Sequence, residues 1–114
     1  MAIEISENDG TTVVALPRRF DVDQAPQVEK EMEPVISVHP ERVLFDFSGT
    51  DYISSSGVRT LLKLTRAITE WGGTSALSSL NRQTEYVLEI TGFSKIFKIY
   101  RSREDALKKM RKEA

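Results

Sequence analysis

The stretch Val43–Leu62, VLFDFSGTDYISSSGVRTLL, constrains what this chain can fold into more than any other segment. It opens on an apolar run, Val43, Leu44 and Phe45, with Phe47 beyond Asp46. So little polar interruption is the mark of a central strand covered on its faces. A polar turn follows, then Ser54, Ser55, Ser56 and Gly57, and then apolar positions at helical spacing. Three serines therefore stand where a strand hands over to a helix. The first N–H groups of a helix have no internal partners, and the dipole there favours negative charge. A serine cluster at such a place fits a cap, an anion-binding site or a site of phosphorylation.

The flanking segments extend the pattern. Ala2–Glu7 alternates apolar and polar residues, with Ile3 and Ile5 on one side, and Asn8-Asp9-Gly10 is a turn signal before the apolar run Thr11–Leu16. Two such runs around such a turn read as a hairpin, closed by Pro17. Phe20–Asp23 leads into a helix, with Asp23 as a candidate N-cap and Pro26 in the first turn, where its missing N–H does no harm. Ala25, Val28 and Met32 form its inward stripe, and Pro34 either ends it near Glu33 or kinks it there, with Val35-Ile36 continuing it for a turn. Arg42–Phe47 is the next strand. A helix over Ser56–Trp71 presents Val58, Leu61, Leu62, Thr65 and Ile68 on one face, and Gly72-Gly73 stops it. Thr74–Leu77 is a short strand. Asn81 caps a third helix with Tyr86, Val87 and Ile90 inward and Gly92 at its end. Ile96–Tyr100 is a last strand. Ser102 with Asp105 three residues on is a capping-box pattern for a final helix to about Lys112, lined by Ala106, Leu107 and Met110.

Strands alternating with helices give an α/β domain around a mainly parallel sheet. The hairpin adds an antiparallel strand, so the sheet is mixed. Loops at the carboxyl ends of parallel strands carry function in such sheets. Pro17–Asp23 and Gly49–Gly57 both leave strands at that end and should be neighbours. At 114 residues the chain is one domain. A net charge of −1 gives no general pull toward nucleic acid or anionic membrane, and no apolar run approaches a membrane span. With no cysteine and no basic leader ahead of an apolar core, a cytoplasmic location is expected.

The run Val43–Leu64 resembles the signature of the STAS domain, found in bacterial anti-sigma factor antagonists and in the tails of sulfate transporters. In that family an apolar strand ends in an Asp-Ser-Ser-Gly-like turn that opens a helix. The likeness extends over nearly the whole chain. Phe20-Asp21 matches the family's Leu-Asp, Gly72-Gly73 falls where its second helix ends, and Thr91-Gly92-Phe93, Ile96–Tyr100 and Glu104–Leu107 match its ending. The resemblance implies a single STAS-like α/β domain over residues 1–114, with a mixed, mostly parallel sheet of four to five strands and about four helices. In the antagonists, a serine or threonine before the Ser-Gly pair accepts phosphate from a partner anti-sigma serine kinase. By position this is Ser55. The unmodified form binds the kinase and frees the sigma factor, and a PP2C-type phosphatase resets the modified form. The residue before the acceptor is usually aspartate, and here it is Ser54. Recognition would then draw on Asp21 or Asp51, with Ser56, Gly57 and Arg59 completing the loop and its helix.

Other readings stand beside this one. The serines fit a plain cap and tight turn, and Asp21 and Asp23 fit turn and cap duties. Arg59, Lys63 and Arg66 form a basic stripe opposite the apolar one, either solvated or facing a partner. The basic tail Lys108–Lys112 reads as solvated helix, and Trp71 as packed at a helix end. His39 is the one histidine, no Gly-x-Ser-x-Gly turn or phosphate-binding Gly-rich run is present, and no metal-ligand spacing occurs. A binding module without metal or cofactor is expected rather than an enzyme. STAS proteins also resemble subunits bracing the ATPase of a lipid transporter, which need no phosphoacceptor. A stress-signalling scaffold is a third variant, disfavoured where no sensor domain precedes residue 1. Strand edges at a sheet margin permit pairing, so a monomer or weak homodimer is expected.

Overall fold

Asp9 and Gly10 join β1 (Glu4–Asn8) to β2 (Thr11–Ala15), both at positive φ, 47° and 84°. A two-residue hairpin turn needs that left-handed pair, which Asp and Gly tolerate. In the computed structural model residues 1–113 are described, with side chains through residue 111. The chain continues through β3 (Arg19–Phe20), α1 (Ala25–Ser37), β4 (Arg42–Asp46), β5 (Tyr52–Ile53) and α2 (Ser55–Glu70). It ends with β6 (Thr74–Ser78), α3 (Arg82–Ile90), a 3-10 turn at Phe93–Lys95, β7 (Ile99–Tyr100) and α4 (Arg103–Glu113).

Five strands form one mixed sheet in the order β1-β2-β4-β6-β7. Only the β1–β2 pair is antiparallel; β4 pairs in parallel with both β2 and β6, and β6 with β7. Side chains alternate across the sheet, as the pleat requires. Val14, Val43, Phe45 and Leu77 face the larger core, filled by Val28 and Met32 of α1, Leu61 and Ile68 of α2, and Leu88 of α3. Val13, Leu44 and Ala76 face the other way, onto Ala106, Leu107 and Met110 of α4. Three helices therefore cover one face and α4 the other.

Where the structure departs from the sequence reading, a local contact is the reason. Ile3 is buried but Ile5 is exposed. The N–H groups of Ala2 and Ile3 donate to the Glu31 carboxylate at 2.9 and 3.0 Å, which draws the segment before β1 onto α1. Asp23 is not the cap of α1: the N-cap position is Gln24, with no side-chain cap bond, and Asp21 instead closes the turn before the helix, its Oδ1 accepting the N–H of Asp23 at 3.1 Å and of Gln24 at 3.2 Å. Of the two readings for Pro34, the continuing one holds: the helix runs over Val35-Ile36 to Ser37, with Met32 and Val35 buried on either side of the proline. In α3 it is Thr84 and Leu88 that are buried, while Tyr86 and Ile90 are 60% and 62% exposed. Thr84 also belongs to the capping box with Asn81. Ile96 lies outside β7 and is exposed, because the preceding residues wind into the 3-10 turn. Lys108, Lys109 and Arg111 are exposed, and the side chain of Lys112 lies outside the described residues.

Phe45 is fully buried in the central strand, so Phe45→Ala should lower unfolding free energy by about 3–5 kcal/mol in urea titration. Ile5→Ser, at an exposed edge, should change it by no more than about 0.5 kcal/mol. The N–H groups of Ala2 and Ile3, with the Gln27 amide, hold the Glu31 carboxyl down to about 2, against an ordinary 4.5. A value lowered on folding means this attachment contributes in full above about pH 4.5 and is lost as pH falls toward 2. Amide protection at Ala2 and Ile3, referenced to intrinsic exchange rates, should decay across that window and be low throughout in Glu31→Ala.

Candidate functional site

The site is built where two loops meet at the carboxyl ends of β2 and β4. Its root is Asp46, fully buried, whose carboxylate accepts hydrogen bonds from Ser48 Oγ at 2.7 Å, Ser78 Oγ at 3.2 Å and Arg103 Nη2 at 2.7 Å. Burial pushes this carboxyl up, but the bonds from Ser48 and Arg103 outweigh it and hold it below the usual aspartate value. Arg103 opens α4, so one ion pair ties the end of the central strand to the helix behind the sheet.

From this root the chain crosses to the loop after β2. β5 pairs in parallel with β3, Arg19 opposite Tyr52 and Phe20 opposite Ile53, a small second sheet that the sequence did not announce. Asp51 N–H donates to the Arg18 carbonyl at 2.8 Å, and Ser54 N–H to that of Phe20 at 3.0 Å. The Arg18 guanidinium bonds the Asp51 carboxylate at 2.7 Å, and Arg19 lies 4.5 Å over the Tyr52 ring. Pro17–Asp23 and Gly49–Gly57 are thus neighbours, as the topology predicts. A Cβ on Gly57 would run into the Phe20 carbonyl oxygen and come within 2.8 Å of Ile53 Cγ1. Glycine at 57 lets the first turn of α2 lie against the neighbouring loop.

The three serines separate in this setting. Ser54 is the N-cap of α2, in extended backbone, and its Oγ is buried without a hydrogen-bond partner. Ser56 is half-buried. Ser55, the first helical residue, is exposed. No side-chain bond caps α2, so its leading N–H groups remain available to an anion.

Asp51 through Gly57 come together by sequence, and Asp21 joins them through the β3–β5 pairing. Both acidic groups have partners: Asp51 pairs with Arg18, and Asp21 bonds the turn before α1 with Arg19 3.5 Å away. Arg59 is exposed one turn beyond Ser55, and Arg66 further along. Lys63 instead donates to Glu29 of α1 at 3.1 Å, which occupies one charge of the basic stripe. Two contributors escaped the sequence reading. Arg18 carried no motif. Gln83, in the first turn of α3, bonds both backbone groups of Ile53, and no spacing signals it. His39 sits at the opposite, amino end of β4, where it stacks on Trp71 with ring centroids 4.6 Å apart. It cannot activate Ser55. Trp71 is anchored there by its Nε1, which donates to the Pro40 carbonyl at 2.9 Å.

A mixed sheet backed by one helix, with a serine displayed at the amino end of the second, defines a domain of the STAS class. Residues 2–106 match the STAS domain family, and the chain belongs to it. It is 31% identical over 106 residues to a candidate anti-sigma factor antagonist, BtrV, of Bordetella bronchiseptica, covering 93% of this chain and 91% of that one. A crystal structure of a candidate anti-sigma factor antagonist from Thermotoga maritima superposes with a TM-score of 0.88, at 22% identity and covering 96% and 94% of the two chains. The Bacillus cell fate determinant SpoIIAA, an anti-sigma factor antagonist, shares the fold in two states. Its unphosphorylated form gives a TM-score of 0.81 at 19% identity, with 96% of each chain covered. Its phosphorylated form gives 0.72 at 18% identity, covering 95% of this chain and 98% of that one.

The glycine contact yields a direct check. Gly57→Ala should lower stability by about 1–3 kcal/mol through overpacking. Gly49→Ala, where an added Cβ meets nothing within 4 Å, should be close to neutral. Urea midpoints of the two variants give the comparison.

Proposed function

We propose that this protein is an anti-sigma factor antagonist switched by phosphorylation of Ser55. Unmodified, it binds a partner anti-sigma serine kinase and so frees a sigma factor for transcription. Modified, it is released, and a PP2C-type phosphatase returns it to the binding form. The observation that carries this reading is the exposure of Ser55 alone among the three serines, at the open amino end of α2. The kinship with BtrV and the likeness to SpoIIAA support it.

The physics of the switch is local. Phosphate adds about −1.5 to −2 charges at neutral pH. The free N–H groups and dipole of α2 accommodate that charge, and Arg59 stands one turn away. The domain therefore stays folded. A docked partner responds differently, because an unpaired phosphate in a contact surface is costly to desolvate and any facing carboxylate repels it. A loss of about 3 kcal/mol weakens binding more than a hundredfold. Ser54 leaves a neutral hydroxyl in place of a carboxylate beside the acceptor, so acidic character comes from Asp21 and Asp51. Arg59, Arg66 and the partly neutralised Lys63 line the exposed face of α2 offered to the partner.

Incubation with the anti-sigma kinase and ATP, followed by mass spectrometry, should find one phosphate, on Ser55. Ser55→Ala should stay bound to the kinase. Ser55→Asp should bind at least tenfold more weakly while keeping the parent circular dichroism spectrum (about 1.4 kcal/mol). Equal affinity for all three forms would remove the switch and favour the transporter-subunit reading.

A further inference from the structure

Ile53 stands two residues before Ser55 and forms half of a two-residue strand. One edge of that strand is satisfied by β3. The other edge would present an N–H and a carbonyl with no strand beside them. Gln83 closes it. Its Oε1 accepts the Ile53 N–H at 2.9 Å, and its Nε2 donates to the Ile53 carbonyl at 3.0 Å. A carboxamide carries one donor and one acceptor side by side, as a peptide group does, so Gln83 stands in for a missing neighbouring strand. Asn81, the cap of the same helix, donates from Nδ2 to the Asp51 carbonyl at 3.0 Å. The first turn of α3 thus grips the chain at two points just ahead of Ser55.

These bonds are not what holds α3 in place. The helix is capped by the reciprocal Asn81–Thr84 box and anchored by buried Thr84 and Leu88. The Gln83 carboxamide can be removed with that anchorage intact. What its removal frees is Ile53, the last residue held from the α3 side before Ser54; Asn81 would still grip the chain at Asp51, and β3 would hold the other edge.

We propose that Gln83 is a positioning residue for phosphoryl transfer to Ser55, fixing the backbone from which that hydroxyl is presented; this rests on the Ser55 reading above. In-line transfer demands a nucleophile held to within a fraction of an ångström, and small misplacements cost orders of magnitude in rate. Gln83 touches neither phosphate donor nor acceptor and acts through Ile53 alone.

The test is steady-state phosphorylation of the full chain by the anti-sigma kinase with ATP, for the parent, Gln83→Ala and Gln83→Glu. The glutamate variant keeps an acceptor for the Ile53 N–H and removes the donor to its carbonyl. Both variants should lower kcat by about ten- to hundredfold and leave KM within about threefold, since the α2 face offered to the partner is untouched, with the alanine variant as the control for the charge that glutamate adds. Amide exchange should quicken at Tyr52–Ser56 and stay at parent rates in the rest of α3. Unchanged kcat in both variants overturns the role of Gln83 and leaves the Ser55 switch standing. A joint loss of kcat and affinity, with faster exchange throughout α3, overturns it too and makes Gln83 a structural residue. If the parent takes no phosphate on Ser55, the switch and this inference fall together.

Discussion

One carbonyl oxygen, that of Phe20, organises the functional end of the molecule. It accepts the N–H of Ser54 and leaves room beside it for glycine only at position 57. Through this contact a loop from the second strand and a loop from the central strand become a single surface. It is the tie that sets the start of α2 directly against Phe20, next to Asp21. The short β3–β5 pairing is the backbone expression of the same contact, and the Arg18–Asp51 and Arg19–Tyr52 interactions lie over it. The two side-chain pairs are exposed and contribute little energy individually, so the backbone bonds and the glycine clearance carry the geometry.

The sheet beneath is fastened at both ends by different chemistry. At the carboxyl end, Asp46 binds Ser48, Ser78 and Arg103 in a buried polar cluster that joins β4, β6 and α4. At the amino end, the indole of Trp71 bonds the Pro40 carbonyl and stacks on His39. Between them, alternating side chains of β2, β4 and β6 divide the core into two clusters. Only the carboxylate of this ion pair is buried, so removing Arg103 would cost more than the pair contributes, because the lone Asp46 charge would be left inside.

Most of this architecture is legible in the sequence because it follows from periodicity. The hairpin turn, the central strand, the cap at Asn81 and the inner face of α4 appear at their expected spacing, as do Val58, Leu61, Thr65 and Ile68 of α2, while Leu62 is only half-buried and Leu64 is buried in addition. The Ser54–Gly57 turn is legible too, as a strand-to-helix junction. What escapes is set by tertiary contacts with no periodic signature. A two-residue strand such as β5 has too few residues to alternate. Glu31 reaches back to Ala2 and Ile3, which buries one isoleucine and exposes the other. The apolar look of Tyr86 and Ile90 suggests an inward face for α3, but Thr84 and Leu88 are the buried residues. Among the three serines, composition is silent and only position distinguishes the exposed one.

The Gln83 carboxamide has a wider consequence for how such a domain can diversify. A side chain that imitates a peptide edge lets a helix border a strand without a further strand being added. The loop that leads into Ser55 can then end the sheet on that side and still have its backbone paired. Substitutions on the outward face of α3 are free to vary the contact surface, provided the amide at its first turn is kept. Shape change and loop order are thereby handled by different residues of one short helix.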